Sequence, residues 1–196
     1  MVDDDIRVDC HGLAQGFAAW RMNKDSMVGY YPRLALLKND NRQYVYHSWP
    51  MVFWKFRFNM ILTKACFLHR RYLDLYSNPQ VHPPTILDYV DPHKNCEDVA
   101  MSLLVAHDTA ATPIYVEASV SDQGLFGGIS TGSGHMNQRS NCLTDLAAIY
   151  HTNRTAVPVM VHSSDLAQGS WYRHISRWLY RPSNFFEWFA LSNVFK

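Results

Sequence analysis

Nowhere in the 196 residues does an apolar run reach the ~20 residues that a membrane-spanning helix needs, and the first residues do not read as a basic-then-apolar leader. Charge of one sign is lacking too. Eighteen basic residues against 17 acidic ones leave a net charge of +1 with histidines neutral, so no global basic field calls for nucleic acid. The four cysteines, Cys10, Cys66, Cys96 and Cys142, show no Cys-x-x-Cys spacing, which argues against zinc. A phosphate-binding Gly-Lys motif is absent, which makes a metal-dependent phosphotransferase remote. What remains is a chain with 47 % hydrophobic residues, one domain long enough to bury roughly 70 % of its unfolded surface. Its 14 % aromatic content suits a sugar-handling surface and an ordinary aromatic core equally well.

Apolar and polar residues alternate between strand and helix periods along the chain. Leu13, Phe17 and Trp20 recur at helical spacing and predict a helix over about 9–21. Met27 to Tyr31 reads as a strand closed by Pro32, and 38–50 as a polar stretch ending in a Trp49-Pro50 loop. Phe56 to Leu62 alternates as a strand; Cys66 to Tyr76 reads as a helix with Leu68, Tyr72, Leu75 and Tyr76 on one face. A short helix through Ile86, Leu87 and Val90 and a longer one from Glu97 to His107 follow. Pro113 to Val116 is a strand, 124–134 a glycine-rich mobile loop, Asn137 to Tyr150 a helix, and Val157 to Val161 a strand. The tail from Trp171 mixes aromatic and basic residues, as an amphipathic surface segment or a helix covering the core. Strands alternating with helices indicate an α/β fold.

Three segments carry candidate chemistry. The apolar pair Met1-Val2 runs into Asp3-Asp4-Asp5, and adjacent carboxylates persist most comfortably beside a divalent cation, Mn²⁺ or Mg²⁺, that shares oxygen ligands with a diphosphate. The same triplet also reads as a solvated turn or a helix N-cap. Glu97-Asp98 puts two carboxylates at a helix start, where they also simply complement the macrodipole. His135 and Arg139 stand four apart, on one face of a helix, and such a pair can clamp a diphosphate or lie on the surface. Asn153-Arg154-Thr155 is a glycosylation sequon at Asn153, meaningful in the secretory pathway.

In this order the segments resemble one family. Met1-Val2-Asp3-Asp4-Asp5, Val28-Gly29-Tyr30-Tyr31-Pro32-Arg33, Ile61-Leu62-Thr63-Lys64-Ala65-Cys66-Phe67, Asn95-Cys96-Glu97-Asp98-Val99-Ala100-Met101 and Gln138-Arg139-Ser140-Asn141-Cys142 resemble the glycosyltransferase domain of the exostosin family, family 64 of the glycosyltransferases. The run Gly128 to His135 is more similar to the plant branch that glycosylates inositol-phosphoceramide sphingolipids than to the branch that extends heparan-type chains.

The resemblance implies a GT-A-like fold with a mixed sheet and an Mn²⁺-dependent transferase that moves a hexose or N-acetylhexosamine from a nucleotide-diphosphate sugar, with retention, to a glycan or glycolipid acceptor. It maps the metal ligand to Asp5 and donor contacts to Asp3, Asp4, Glu97, His135 and Arg139. Asp98 matches the catalytic carboxylate beside the anomeric carbon, which also touches the donor. Cys96 and Cys142 match a disulfide, leaving Cys10 and Cys66 as thiols; that bond and the sequon fit a Golgi or endoplasmic-reticulum lumen, where family members are membrane-anchored. Because the family places its acidic motif mid-domain, the expectation is that 1–170 form the carboxyl-terminal part of such a domain, truncated before that motif, with 171–196 an aromatic-basic tail. The rival expectation is a catalytically inactive homologue that binds a complete transferase.

Overall fold

The computed structural model describes residues 1–38, 43–80, 82–93, 95–123, 134–153 and 164–165, the side chains of 151–153 and 164–165 excepted. Residues 124–133 of the loop expected at 124–134, the strand expected at 157–161 and the tail from Trp171 lie outside these residues. The fold is α/β and is organised around short strands.

At its centre β2 (Val28–Gly29) runs parallel to β8 (Ile114–Tyr115) and antiparallel to β7 (Cys66–Phe67), which makes the sheet mixed. The first residues extend it by one edge. Met1 exchanges backbone hydrogen bonds with Cys66, Val2 bridges to Ala65, and the Asp3 N–H donates to the Lys64 carbonyl at 2.9 Å. Gly29 is needed at this crossing: a Cβ there would sit 2.6 Å from the Ala65 carbonyl oxygen and 2.6 Å from Ile61 Cγ2.

A second sheet has the order β4 (Gln43–His47), β3 (Pro32–Lys38), β6 (Met60–Ile61), all antiparallel. Helix α5 (Glu97–Thr109) lies against it with Val99, Leu103 and Leu104 fully buried, and Ser102 donates to the Ile61 carbonyl at 2.9 Å. Helix α6 (His135–Asn153) packs on β4 and α5 through Cys142, Leu143 and Leu146. A third pairing, β1 (Ile6–Val8) with β9 (Val120–Asp122), is antiparallel and brings Ile6 opposite Asp122.

Helix α1 (Cys10–Met22) forms where the spacing places it, capped by Asp9, whose carboxylate accepts from the Gly12 N–H. Its buried positions are Gly12 and Gly16, however, while Phe17 remains 46 % exposed: the helix approaches the sheet by its glycines.

Five other expectations are corrected. Pro32 opens β3 instead of closing a strand, and the polar stretch 38–50 contains β4, whose outward residues mask it. Trp49-Pro50 begins helix α2 (Trp49–Lys55), since proline at the first turn loses no hydrogen bond that a helix would make. The 56–62 strand is divided into β5 (Arg57–Phe58) and β6, because the Asn59 side chain takes over the backbone of Ala35 with bonds of 2.8 and 2.9 Å. Cys66–Phe67 is strand, so the helix after it, α3 (Arg71–Tyr76), starts later; α4 (Pro84–His93) buries Ile86 and Val90 as expected. Strand β10 (Ser164–Asp165) pairs antiparallel with β5.

Candidate active site

Where α5 begins, the backbone is unusual. Cys96 sits in the left-handed region at φ 77°, its N–H held by the Asn95 side-chain oxygen at 2.8 Å. A disulfide joins it to Cys142 on α6, with 6.3 Å between the Cα atoms. Cys10 and Cys66 are thiols, as expected; burial pushes Cys66 up to about 12, so it stays protonated. This anchored corner sets the first turn of α5, and Asp98 lies in it with only 4 % of its surface exposed. The carboxylate accepts the Val99 N–H at 2.7 Å, at the positive end of the helix.

Arg139 of α6 closes on that carboxylate. Its Nη1 donates to both oxygens of Asp98, at 2.8 and 2.6 Å, and its Nε donates to His135 Nε2 at 3.1 Å. The guanidinium also faces the Tyr46 ring at 5.4 Å, and the Tyr46 hydroxyl accepts from Arg33 Nε at 3.0 Å. Burial by itself would lower the Arg139 pKa, but Asp98 and then Tyr46 more than offset it, so the guanidinium is fully charged. His135 is pushed below its usual value by burial and by Arg139; accepting at Nε2 assigns its proton to Nδ1. Burial raises Tyr46, which keeps the phenol neutral.

The acidic triplet forms a turn, in which the Asp3 carbonyl accepts the Ile6 N–H at 3.1 Å. Asp3 and Asp4 are exposed and Asp5 is partly buried. Lys64 Nζ lies 3.8 Å from Asp5 Oδ2 and 2.9 Å from Asp122 Oδ2, and 5.8 Å from the Tyr31 ring centroid. Asp3 is held above the usual carboxylate value by partial desolvation, with Lys64 pulling it down and Asp5, Asp4 and Asp98 pushing it up.

Among the described residues no cluster of three His, Cys, Asp or Glu side chains could hold a metal alone. Asp5 Oδ1, however, is buried with no hydrogen-bond partner among the described residues. One orphaned carboxylate oxygen fits a hard cation that takes its remaining ligands from substrate phosphates and water. The donor set thus suits a metal bound together with a diphosphate.

Asp98, His135 and Arg139 come together as a single hydrogen-bonded group, with Glu97 exposed beside it. Asn153 ends α6, and its side chain lies outside the described set. Tyr46, Arg33, Lys64 and Asp122 were not singled out by sequence reasoning. Tyr46 and Arg33 arrive through the β3–β4 register, which leaves no spacing signal; the lone lysine two residues before a buried strand was the signal available for Lys64.

The comparisons with known proteins converge. The model of the glycosyl transferase family 64 domain matches residues 1–165. The chain is 37 % identical over 150 residues to glycosylinositol phosphorylceramide mannosyl transferase 1 of Arabidopsis thaliana, covering 75 % of this chain and 44 % of that protein. It is 32 % identical over 169 residues to exostosin-2 of Homo sapiens, covering 84 % of this chain and 22 % of the other. Against glucosamine inositolphosphorylceramide transferase 1 of Arabidopsis thaliana it is 30 % identical over 158 residues, 76 % of this chain and 20 % of that one. It spans less than half the length of each of these relatives. With residues 1–165 under one family model, the chain belongs to glycosyl transferase family 64.

Proposed function

We propose that the chain takes part in sugar transfer from a nucleotide-diphosphate sugar to a glycolipid or glycan acceptor, as a GT-A-like fold working with retention at the anomeric carbon. The observation that carries this reading is the buried Asp98–Arg139 pair, held at 2.6 Å. The relatives named as inositolphosphorylceramide transferases favour an inositol-phosphoceramide acceptor and a hexose or N-acetylhexosamine donor. The disulfide suits an oxidising lumen, such as the Golgi or endoplasmic reticulum. No described helix is long and apolar enough to cross a membrane. Residues 1–170 are taken as part of a transferase domain and 171–196 as an aromatic-basic tail.

Asp5 would hold Mn²⁺ through its orphaned Oδ1, and the ion would supply positive charge at the leaving diphosphate. Asp3, Asp4 and Glu97 offer acceptors to donor hydroxyls. His135, with its proton on Nδ1, and Arg139 add donor and charge on the phosphate side. Asp98 presents a fixed negative charge to the sugar as it gains oxocarbenium character, and Arg139 keeps that carboxylate ionised and aimed. The acceptor hydroxyl attacks C1 on the face the diphosphate leaves, and its proton passes to a departing phosphate oxygen.

The test compares wild type with Asp98→Asn, using nucleotide-diphosphate mannose and N-acetylglucosamine, Mn²⁺ and an inositol-phosphoceramide acceptor. Turnover should fall about 100-fold or more with donor Kd unchanged, since the carboxylate acts in the transition state. A fall in donor affinity equal to the loss of turnover would make Asp98 a binding residue. Nucleotide binding with no transfer of any sugar by wild type would support the silent binding partner instead.

A further inference from the structure

Lys64 has no part in the scheme above, yet it is placed with care. The hydrogen bond from the Asp3 N–H to its carbonyl sets its backbone beside the acidic turn. Its ammonium stands 3.8 Å from Asp5 and 2.9 Å from Asp122, and only 21 % of the side chain is exposed. Asp122 is carried there by the β1–β9 pairing, and the Gln123 N–H donates to the Asp5 carbonyl at 2.9 Å, which ties the two carboxylates to one piece of backbone. An acidic turn needs a cation, and the free protein supplies one from its own chain.

We infer that Lys64 is an internal stand-in for the divalent cation: it shares Asp5 in the free protein and withdraws onto Asp122 when metal and diphosphate arrive together. This rests on the reading of Asp5 as the metal ligand. The consequence is a binding order. An ammonium this close repels an incoming dication, so the free protein takes the metal weakly. A diphosphate brings two further negative charges and its own oxygen ligands, which tip the exchange. Asp122 gives the displaced ammonium a partner already in contact, so Lys64 need not be expelled into water.

The experiment titrates the purified chain with Mn²⁺ alone, and with Mn²⁺ plus uridine or guanosine diphosphate, by calorimetry and by the electron-spin resonance signal of free Mn²⁺. Lys64→Met keeps the apolar stem and removes the charge. Mn²⁺ alone should then bind about tenfold tighter or more, and the diphosphate should enhance metal binding less than in wild type. Lys64→Gln serves if the Met variant does not fold, and Lys64→Arg should stay close to wild type. In the Lys64→Met background, Asp122→Asn should change Mn²⁺ affinity less than it does in wild type. Unchanged Mn²⁺ affinity with diphosphate-promoted binding intact overturns the stand-in role. Diphosphate affinity lost at constant Mn²⁺ affinity overturns it in favour of a phosphate ligand. No Mn²⁺ uptake by any variant, even with diphosphate, overturns the Asp5 assignment itself.

Discussion

Replacing Arg139 by methionine tests how far the fold depends on the buried Asp98–Arg139 pair. Arg139 is 9 % exposed and Asp98 4 %, so the substitution strands a carboxylate in a space that water reaches poorly. Breaking a buried pair by removing one partner costs about 3–5 kcal/mol. Asp98 keeps the Val99 N–H and the helix dipole, which places the expected loss at the lower end, about 3 kcal/mol. For a domain of this size that is a melting point lower by roughly 6–12 °C. In urea it is a midpoint lower by about 1.5 M, at a slope of about 2 kcal/mol/M. The double variant Asp98→Asn, Arg139→Met leaves no buried charge, and should recover more than about 1 kcal/mol relative to additivity. Denaturation followed by circular dichroism reads all four proteins. An Arg139→Met variant within 1 kcal/mol of wild type, or strict additivity in the double variant, would falsify the claim that the pair is dry and mutually dependent.

Other perturbations follow from local geometry. Reducing the Cys96–Cys142 bond should cost about 2–4 kcal/mol, given its 46-residue separation, and non-reducing peptide mapping should recover that pair joined with Cys10 and Cys66 alkylatable; finding Cys96 and Cys142 alkylated in secreted material refutes it. Burial pulls His82 below its ordinary value of 6.5, against the hydrogen bond to the Tyr76 carbonyl, so the fold favours the neutral ring. Stability from His82 is therefore present above pH 6.5 and lost as pH falls below it; His82→Phe should flatten that part of a urea-midpoint profile, and an unchanged slope would assign the effect to His47 and His135, which shift the same way. Gly29→Ala drives a methyl into Ala65 and Ile61 and should lower stability by about 1–3 kcal/mol, whereas a melting point equal to wild type would mean that β7 yields freely.

The long helices were legible because each announces itself more than once. Asp9 caps α1, two carboxylates open α5, and apolar residues recur at three and four along α6. The strands were harder to read, since most are only two or three residues long and leave too little alternation to count. Strand β4 lay hidden because Tyr44 and Val45 are only partly buried, and α2 because its proline occupies the helix start. Within the site, Asp98, His135 and Arg139 were legible through local sequence strings and helical spacing. Tyr46 and Arg33 were not, because strand register brings them to the pair from a distant part of the chain. Gly12 and Gly16 mark a close helix–sheet contact that an apolar-periodicity argument overlooks, since it scores side chains and these have none.

The edge pairing of residues 1–3 with 64–66 has a consequence for how errors are excluded. Side chains alternate faces along a strand, so sliding this pairing by a single residue would turn Lys64 to the opposite side of the sheet while Asp5 stayed in its turn. The spacing between fixed negative charge and mobile positive charge is therefore written in backbone registry, which the buried Ala65 and Cys66 help to hold. An insertion of one residue between Thr63 and Cys66 would erase it even in a chain that folded, melted and bound nothing abnormally elsewhere.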